Sequence, residues 1–192
     1  MKQIKKGRPG YLRGQKRKLL IQTLIEFGLV LIIFLTGYLT TGTRLNLLTL
    51  AAVLGCLPAS RVLVALIAVF PYTSIEAVKA NEIKEKTSYL TTAYDLVVTS
   101  REKIMPIDAV AISNDTIFGY AGNKKTDPEV AATHIKNILN ENRYTDVKVK
   151  IFNDYVAFLS RAEGLNNIMS IEKNNDRKHE LALRRVILNI SM

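Results

Sequence analysis

Cysteine is all but missing from this chain: Cys56 stands alone, so no disulfide can close within it, as fits a reducing compartment. Histidine is nearly as scarce. His134 and His179 fall on separate predicted helices, and neither has a cysteine, histidine or carboxylate at zinc-ligand spacing. No cofactor is therefore expected. Ser160 and Ser170 lack the glycine setting of a nucleophile elbow. No small-x-small cleavage site follows the first apolar segment, whose length already exceeds the 7–15 residues or so of a signal-peptide core. No intact catalytic motif is present. The sequence speaks first about location.

What is abundant is apolar sequence near the N-terminus. Two segments, Leu19–Thr40 and Leu45–Phe70, are separated only by Thr41, Gly42, Thr43 and Arg44. As helices they would reach about 33 and 39 Å, enough to cross a hydrocarbon core of about 30 Å. The short connection predicts an antiparallel transmembrane hairpin over 19–70, with spans at 19–40 and 45–70, because lipid demands that backbone groups pair within each segment. Glu26 and Arg61 are the charges deep within it. Folding the hairpin about its connection sets them at one depth, which predicts an intramembrane charge pair. The competing reading sends each charge separately to the headgroups, or ends the second span near Pro58 and leaves an interfacial helix after it.

Net charge is +10, but it is unevenly placed. Residues 1–18 carry Lys2, Lys5, Lys6, Arg8, Arg13, Lys16, Arg17 and Lys18 and no acid, whereas from Tyr72 onward 17 basic residues face 16 acidic ones. The excess therefore belongs to a basic arm, 1–18, and not to a nucleic-acid-binding domain. It predicts an N-terminus held in the cytoplasm, with anionic lipid headgroups attracted to the arm. Two spans return the chain to the same side, so the expected location is the plasma membrane with both termini cytoplasmic.

Composition changes at Pro71. Residues 71–94 read as a connecting helix from Ser74 to Tyr94, with Ile75, Val78, Ile83, Leu90 and Tyr94 on one side; a parallel homodimer through it is the sharper alternative to simple packing on the domain. Residues 95–192 read as an α/β or α+β domain. A strand covers Asp95–Thr99, and Ile107–Ser113 and Thr116–Tyr120 flank an Asn114-Asp115 turn. A second hairpin runs from Val147 through an Asn153-Asp154 turn to Tyr155–Arg161. Asp127 and Pro128 announce a helix bearing Val130, Ala131, Ile135, Ile138 and Leu139 on one face, and Asp176–Ile190 forms another with Leu183, Val186, Ile187 and Ile190 inward. The expected order is αβββαββα.

One stretch approaches a phosphate loop. Gly119, Gly122, Lys124, Lys125 and Thr126 lie between a predicted strand and helix, and Gly119, Lys125 and Thr126 match GxxxxGK[ST]. Lys124 replaces the second glycine, where a side chain obstructs the backbone cradle.

Asp108 begins the strand IDAVAIS, and in the following strand, IFGYAGNKK, Ala121 and Asn123 occupy the positions two apart near its end. Together with the order helix, three strands, helix, strand over about Ser74–Phe158, this resembles the restriction-endonuclease-like fold, in particular membrane-linked NERD-type domains. There an Asp begins the second strand and a Glu-x-Lys in the third completes a metal site. The resemblance implies a nuclease-like domain in which Asp108 remains as metal candidate and Ala121 and Asn123 replace the Glu and Lys. The sequence thus favours a membrane-anchored, non-enzymatic protein whose cytoplasmic domain binds or regulates a protein partner. The alternative is a membrane-tethered nucleic-acid-binding or degenerate nuclease-like protein.

Overall fold

The computed structural model describes residues 4–43, 45–100, 103–172 and 176–192. They divide into two compact units, Leu12–Thr73 and a second made of Met1–Tyr11 with Ser74–Met192.

The first unit is a helical hairpin of α1 (Tyr11–Thr41) and α2 (Leu47–Val69). Gly42 adopts φ 64° and lets α1 stop, and the Asn46 side chain caps α2 by accepting from the Thr49 N–H at 2.7 Å. The seam is made of small residues. A Cβ on Gly37 would lie 2.7 Å from the Leu48 Cβ, one on Gly55 would lie 3.1 Å from Val30 Cγ2, and Ala52 and Ala59 are buried between the helices. Small residues at i, i+3 and i+4 spacings let two backbones approach, the packing device of helices in lipid. Large apolar side chains point outward instead: Leu24, Ile32, Leu39, Leu57 and Val64 are each at least 64% exposed. Both helices are long and apolar enough to cross a membrane. The second runs unbroken through Pro58, so the reading that ended it there is corrected. Proline costs a helix one internal hydrogen bond, which such a helix tolerates.

The second unit is an α+β sandwich around a mixed sheet. Strands β1 (Thr91–Thr99), β2 (Ile104–Ser113), β3 (Thr116–Tyr120) and β4 (Lys148–Phe152) lie in the order β1-β2-β3-β4. The first two pairings are antiparallel and β3–β4 is parallel. Helices α3 (Ala77–Lys86) and α5 (Tyr155–Glu172) cover one face, packing Ile83, Phe158, Leu159 and Ala162 on Tyr94, Ala109, Ala111 and Tyr120. Helices α4 (Pro128–Glu141) and α6 (Arg177–Ile190) cover the other, with Ala131, Ile135, Leu139, Leu183 and Ile187 against Leu96, Ile107, Val110, Ile112 and Ile117.

The α4 signal and the Asn114-Asp115 turn are as expected, with Asn114 at φ 45°. Three expectations are corrected. The connecting helix ends at Lys86, and Thr91–Tyr94 instead start the strand whose second half is Asp95–Thr99; β-branched Thr91 and Thr92 favour the pleat. Tyr155–Arg161 is no returning strand but the start of α5. Asp154 takes an N-cap role there, its Oδ1 accepting from the Val156 N–H at 3.1 Å, and the burial of 158, 159, 162 and 169 has helical spacing. The order is accordingly αβββαβαα. The basic arm is also not a separate tail: residues 4–10 belong to the sandwich, and α1 already includes Arg13, Lys16, Arg17 and Lys18.

Strand β1 would otherwise present an open edge. It is sealed by two distant segments. The Tyr94 N–H donates to the Gly7 carbonyl at 3.2 Å, and the Met192 N–H donates to the Val97 carbonyl at 3.0 Å. Val97 N–H also donates to the Ser191 hydroxyl at 2.9 Å. Gly7 sits at φ 79° with the place of its missing Cβ 2.7 Å from Leu188 Cδ2, so only glycine fits. Helix α6 is held to the opposite end of β1 by Glu180, fully buried, which accepts from the Thr91 hydroxyl at 2.6 Å and the Asn114 N–H at 3.0 Å.

Candidate functional site

The sheet changes face at one level. Ala93 and Leu96 lie on the α4/α6 side although three residues apart, and so do Ile107 and Val110. Alternation must slip between them, and it slips at Asp95, which takes φ 55°. The register sets Asp95 opposite Asp108, between the pairs Tyr94–Ala109 and Leu96–Ile107. Two carboxylates thus meet across neighbouring strands where a regular sheet would put side chains into a core.

Each carboxylate has a backbone partner. Asp95, 1% exposed, accepts from the Ile75 N–H at 2.9 Å, just before α3. Asp108 accepts from the Gly122 N–H at 2.7 Å. A Cβ on Gly122 would lie 2.7 Å from the Tyr120 hydroxyl and 2.8 Å from Asp108 Oδ2, so glycine is what lets these two groups converge over the loop. Burial pushes the Asp108 carboxyl up; the Gly122 hydrogen bond opposes this, the neighbouring Asp95 adds to it, and Lys79 opposes it. Burial likewise pushes the Tyr120 hydroxyl up.

Further polar side chains come from α3 and the start of α5. The Tyr155 hydroxyl donates to Glu82 Oε2 at 2.7 Å. Lys79 Nζ stands 5.6 Å from the Tyr155 ring centre and pairs with Glu76 at 3.4 Å. Tyr155 packs edge-on against Tyr120 at 5.4 Å. Its hydroxyl is raised well above the usual range by burial and then by the Glu82 hydrogen bond. The arrangement is a polar cluster of mixed sign in which Asp108 is the half-buried carboxyl with raised proton affinity.

The sequence-predicted residues are distributed otherwise than expected. Gly119 lies inside β3, where a Cβ would sit 2.5 Å from Ile151 Cδ1 of the parallel neighbour. Gly122 spends its N–H on Asp108. Thr126 is buried, with its N–H on the Asn123 carbonyl and its hydroxyl on the Pro106 carbonyl. The Lys125 N–H is taken by the Asn123 side chain, and Lys124 and Lys125 are exposed. Three of the loop's backbone donors, those of Gly122, Lys125 and Thr126, are thus engaged within the protein. Lys124 stands where a phosphate loop has its second glycine, and its side chain is exposed.

As a metal candidate Asp108 has no set of partners: Ala121, the residue after β3, is fully buried, Asn123 is exposed, and among the described residues no group of three or more metal-capable side chains assembles. No ion pair joins Glu26 and Arg61 among the described residues. Gln22 Nε2 donates to Glu26 Oε1 at 2.9 Å, and Glu26 Oε2 is buried with no partner among the described residues. The contacts Val30–Gly55 and Gly37–Leu48 set Ala59 opposite Glu26. Arg61, two residues on, is rotated about 200° around α2 and is exposed.

Sequence reasoning missed Asp95, Lys79, Tyr120, Glu82 and Tyr155. Only Asp95 left a trace, as a charge inside an otherwise apolar strand (Tyr94-Asp95-Leu96-Val97). Compared with protein-family models, with curated proteins and with solved structures, the chain matches none.

Proposed function

We propose that the chain is a membrane-anchored, non-catalytic protein. In this reading α1 and α2 cross the plasma membrane, both ends lie in the cytoplasm, and the α+β unit binds or regulates a protein partner at the membrane surface. The observation that carries it is the contrast in burial: α1 and α2 turn their large apolar side chains outward along their whole length, while the attached sandwich encloses its own. Lipid is the solvent that makes the first arrangement stable. The crowding of positive charge before residue 19 supports the orientation. Against a catalytic role stands the burial of Ala121, just beyond β3, where the nuclease-like pattern has its Glu, since phosphodiester cleavage by a metal needs more than one ligand.

A second reading has its own observation. The elements α3-β1-β2-β3-α4-β4 follow the helix, three strands, helix, strand order of restriction-endonuclease-like domains, with Asp108 in the second strand. It makes the protein a membrane-tethered, degenerate nuclease-like or nucleic-acid-binding domain. One experiment separates the two. The full chain is purified in mild detergent, its copurifying proteins are identified, and labelled DNA and RNA are incubated with it and Mg²⁺. A stoichiometric partner that survives Asp108→Asn, without cleavage, supports the binding reading. Cleavage abolished by Asp108→Asn would overturn it.

A further inference from the structure

The docking of residues 4–10 on the sandwich builds a cationic site that neither segment has alone. Arg184 of α6 points between the arm and β1, where its Nε donates to the Thr92 carbonyl at 3.0 Å and its Nη2 reaches the Gly7 carbonyl at 3.4 Å. The next residue of the arm is Arg8, exposed, and Lys5 is exposed beside it in sequence. On α6 the neighbouring Arg185 is exposed too. Lys6 is turned inward and donates to the Ser191 carbonyl. None of these five cations takes part in an ion pair with a carboxylate among the described residues. Arg184 is half-buried, satisfied only by carbonyl oxygens; burial and then the charge of Arg8 lower its pKa.

Such an arrangement is costly unless an anion is present. The carbonyls of Thr92 and Gly7 fix one guanidinium and leave N–H donors of Arg184 unspent, and the exposed Arg8 next to Gly7 adds a second guanidinium, the donor type that pairs with phosphate oxygens. A carbonyl-pinned arginine is also preorganised, so little side-chain entropy is lost when a ligand arrives. The arm continues into α1 only three residues beyond Arg8, and that helix carries the first apolar segment.

We propose that Arg8 and Arg184, with Lys5 and Arg185 at the rim, form a binding site for the phosphate of an anionic phospholipid headgroup. The site rests on the membrane reading of the hairpin and deepens it. Attraction of headgroups to the basic residues becomes a cluster of named cations, completed by a residue more than 170 positions away from the arm. It differs from a diffuse polybasic arm, in which any charge counts equally.

The test uses the full chain in a neutral detergent, with binding followed by intrinsic tyrosine fluorescence or native mass spectrometry. The probes are dioctanoyl phosphatidylglycerol, dioctanoyl phosphatidylcholine and inorganic phosphate. The expected result is saturable binding of phosphatidylglycerol, weakened about tenfold or more by Arg8→Gln or Arg184→Gln, since each removes a charge-assisted contact. Arg177→Gln, which removes the same charge from the far end of α6, should change it less than about twofold. Because Arg184 also joins Gly7 to Thr92, Arg8→Gln, on an exposed side chain, is the variant that separates binding from folding. Equal loss in Arg177→Gln would overturn the site in favour of net charge alone. Equal binding of phosphatidylcholine would overturn the anion, and inorganic phosphate binding as tightly as the lipid would overturn the headgroup. Extraction of the chain from membranes by alkaline carbonate is scored separately. Release there would sink the membrane reading whatever the lipid probes show.

Discussion

The two units use the same apolar residue types in opposite ways. In the hairpin, glycine and alanine go inside and leucine and isoleucine go out: Gly37, Ala52 and Ala59 are buried while Leu39 is 79% exposed. In the sandwich, large side chains fill the interior, and Phe158, Ile107, Ile112 and Leu183 are each at most 1% exposed. Water drives the second arrangement through the area it removes from contact. It cannot drive the first in the membrane reading proposed above, where association rests on close backbone approach and the large side chains gain nothing by meeting each other. Hydrophobicity alone therefore does not say which residues hold a region together; the solvent around it does.

The sharpest way to break this comparison is to truncate one large residue in each unit. Phe158→Ala should destabilise the sandwich by about 3–5 kcal/mol, because it removes a fully buried ring from between β3 and α5. Leu39→Ala in the hairpin should shift the unfolding of the detergent-solubilised chain by less than about 0.5 kcal/mol. Equal losses in chemical denaturation would mean that the hairpin is packed like a soluble core.

Next in size is the charge on the hairpin. Arg61→Leu should improve insertion of the second helix by roughly 3 kcal/mol on a glycosylation-mapped insertion scale. Since Arg61 and Glu26 do not meet, Glu26→Gln and Arg61→Gln should be additive in detergent-stable yield, within about 0.5 kcal/mol when expressed as free energy. Rescue in the double variant would restore the ion pair that the sequence suggested.

Within the sandwich, Glu180→Ala should cost about 2–3 kcal/mol. It removes the acceptor that the partly buried Thr91 hydroxyl and the Asn114 N–H share. Glu180→Gln keeps one acceptor and should lie between that variant and the parent in thermal unfolding.

The smallest effect concerns Asp108. Its carboxyl holds its proton more tightly in the folded chain than in the unfolded one, so its contribution to stability is fully present below the unfolded pKa, about 3.9, and is lost as pH rises through the higher folded value. Asp108→Asn should therefore be neutral to slightly stabilising at pH 7, with the difference from the parent vanishing below pH 4. The reverse trend in a pH series of melting curves would show that the Gly122 hydrogen bond outweighs burial.

Much of this architecture could be read from residues whose signals have one meaning. Asp127-Pro128 announces α4 because an acceptor side chain followed by a residue without an N–H suits a helix start and little else. The hairpin was legible because long apolar runs are rare in water-soluble chains. Asn153-Asp154 has two meanings, turn or N-cap, and Tyr155-Val156-Ala157-Phe158 has strand-forming residues that favour the wrong one. Packing against α3 decides in favour of helix. Asp108 could be singled out because it is the one charge in an otherwise apolar strand, although β2 begins earlier, at Ile104, than the sequence suggests. Its surroundings could not, because Asp95, Lys79 and Tyr155 come from three elements and meet only where β1 switches face, an event recorded in a single positive φ.

The sealing of β1 bears on how the sandwich could be cut free. Gly7 and Ile75 dock on Tyr94 and Asp95, adjacent residues of one strand, so residues 12–73 enter and leave the sandwich at nearly the same place. In topological terms the hairpin is an insertion with a narrow root. A fragment starting at Ser74 would lose Gly7, expose the edge of β1 and leave Leu188 and Arg184 without their cover. Joining Gly10 to Ser74 through about six glycine and serine residues, roughly 13 Å of mean span, would excise the hairpin while keeping the edge closed.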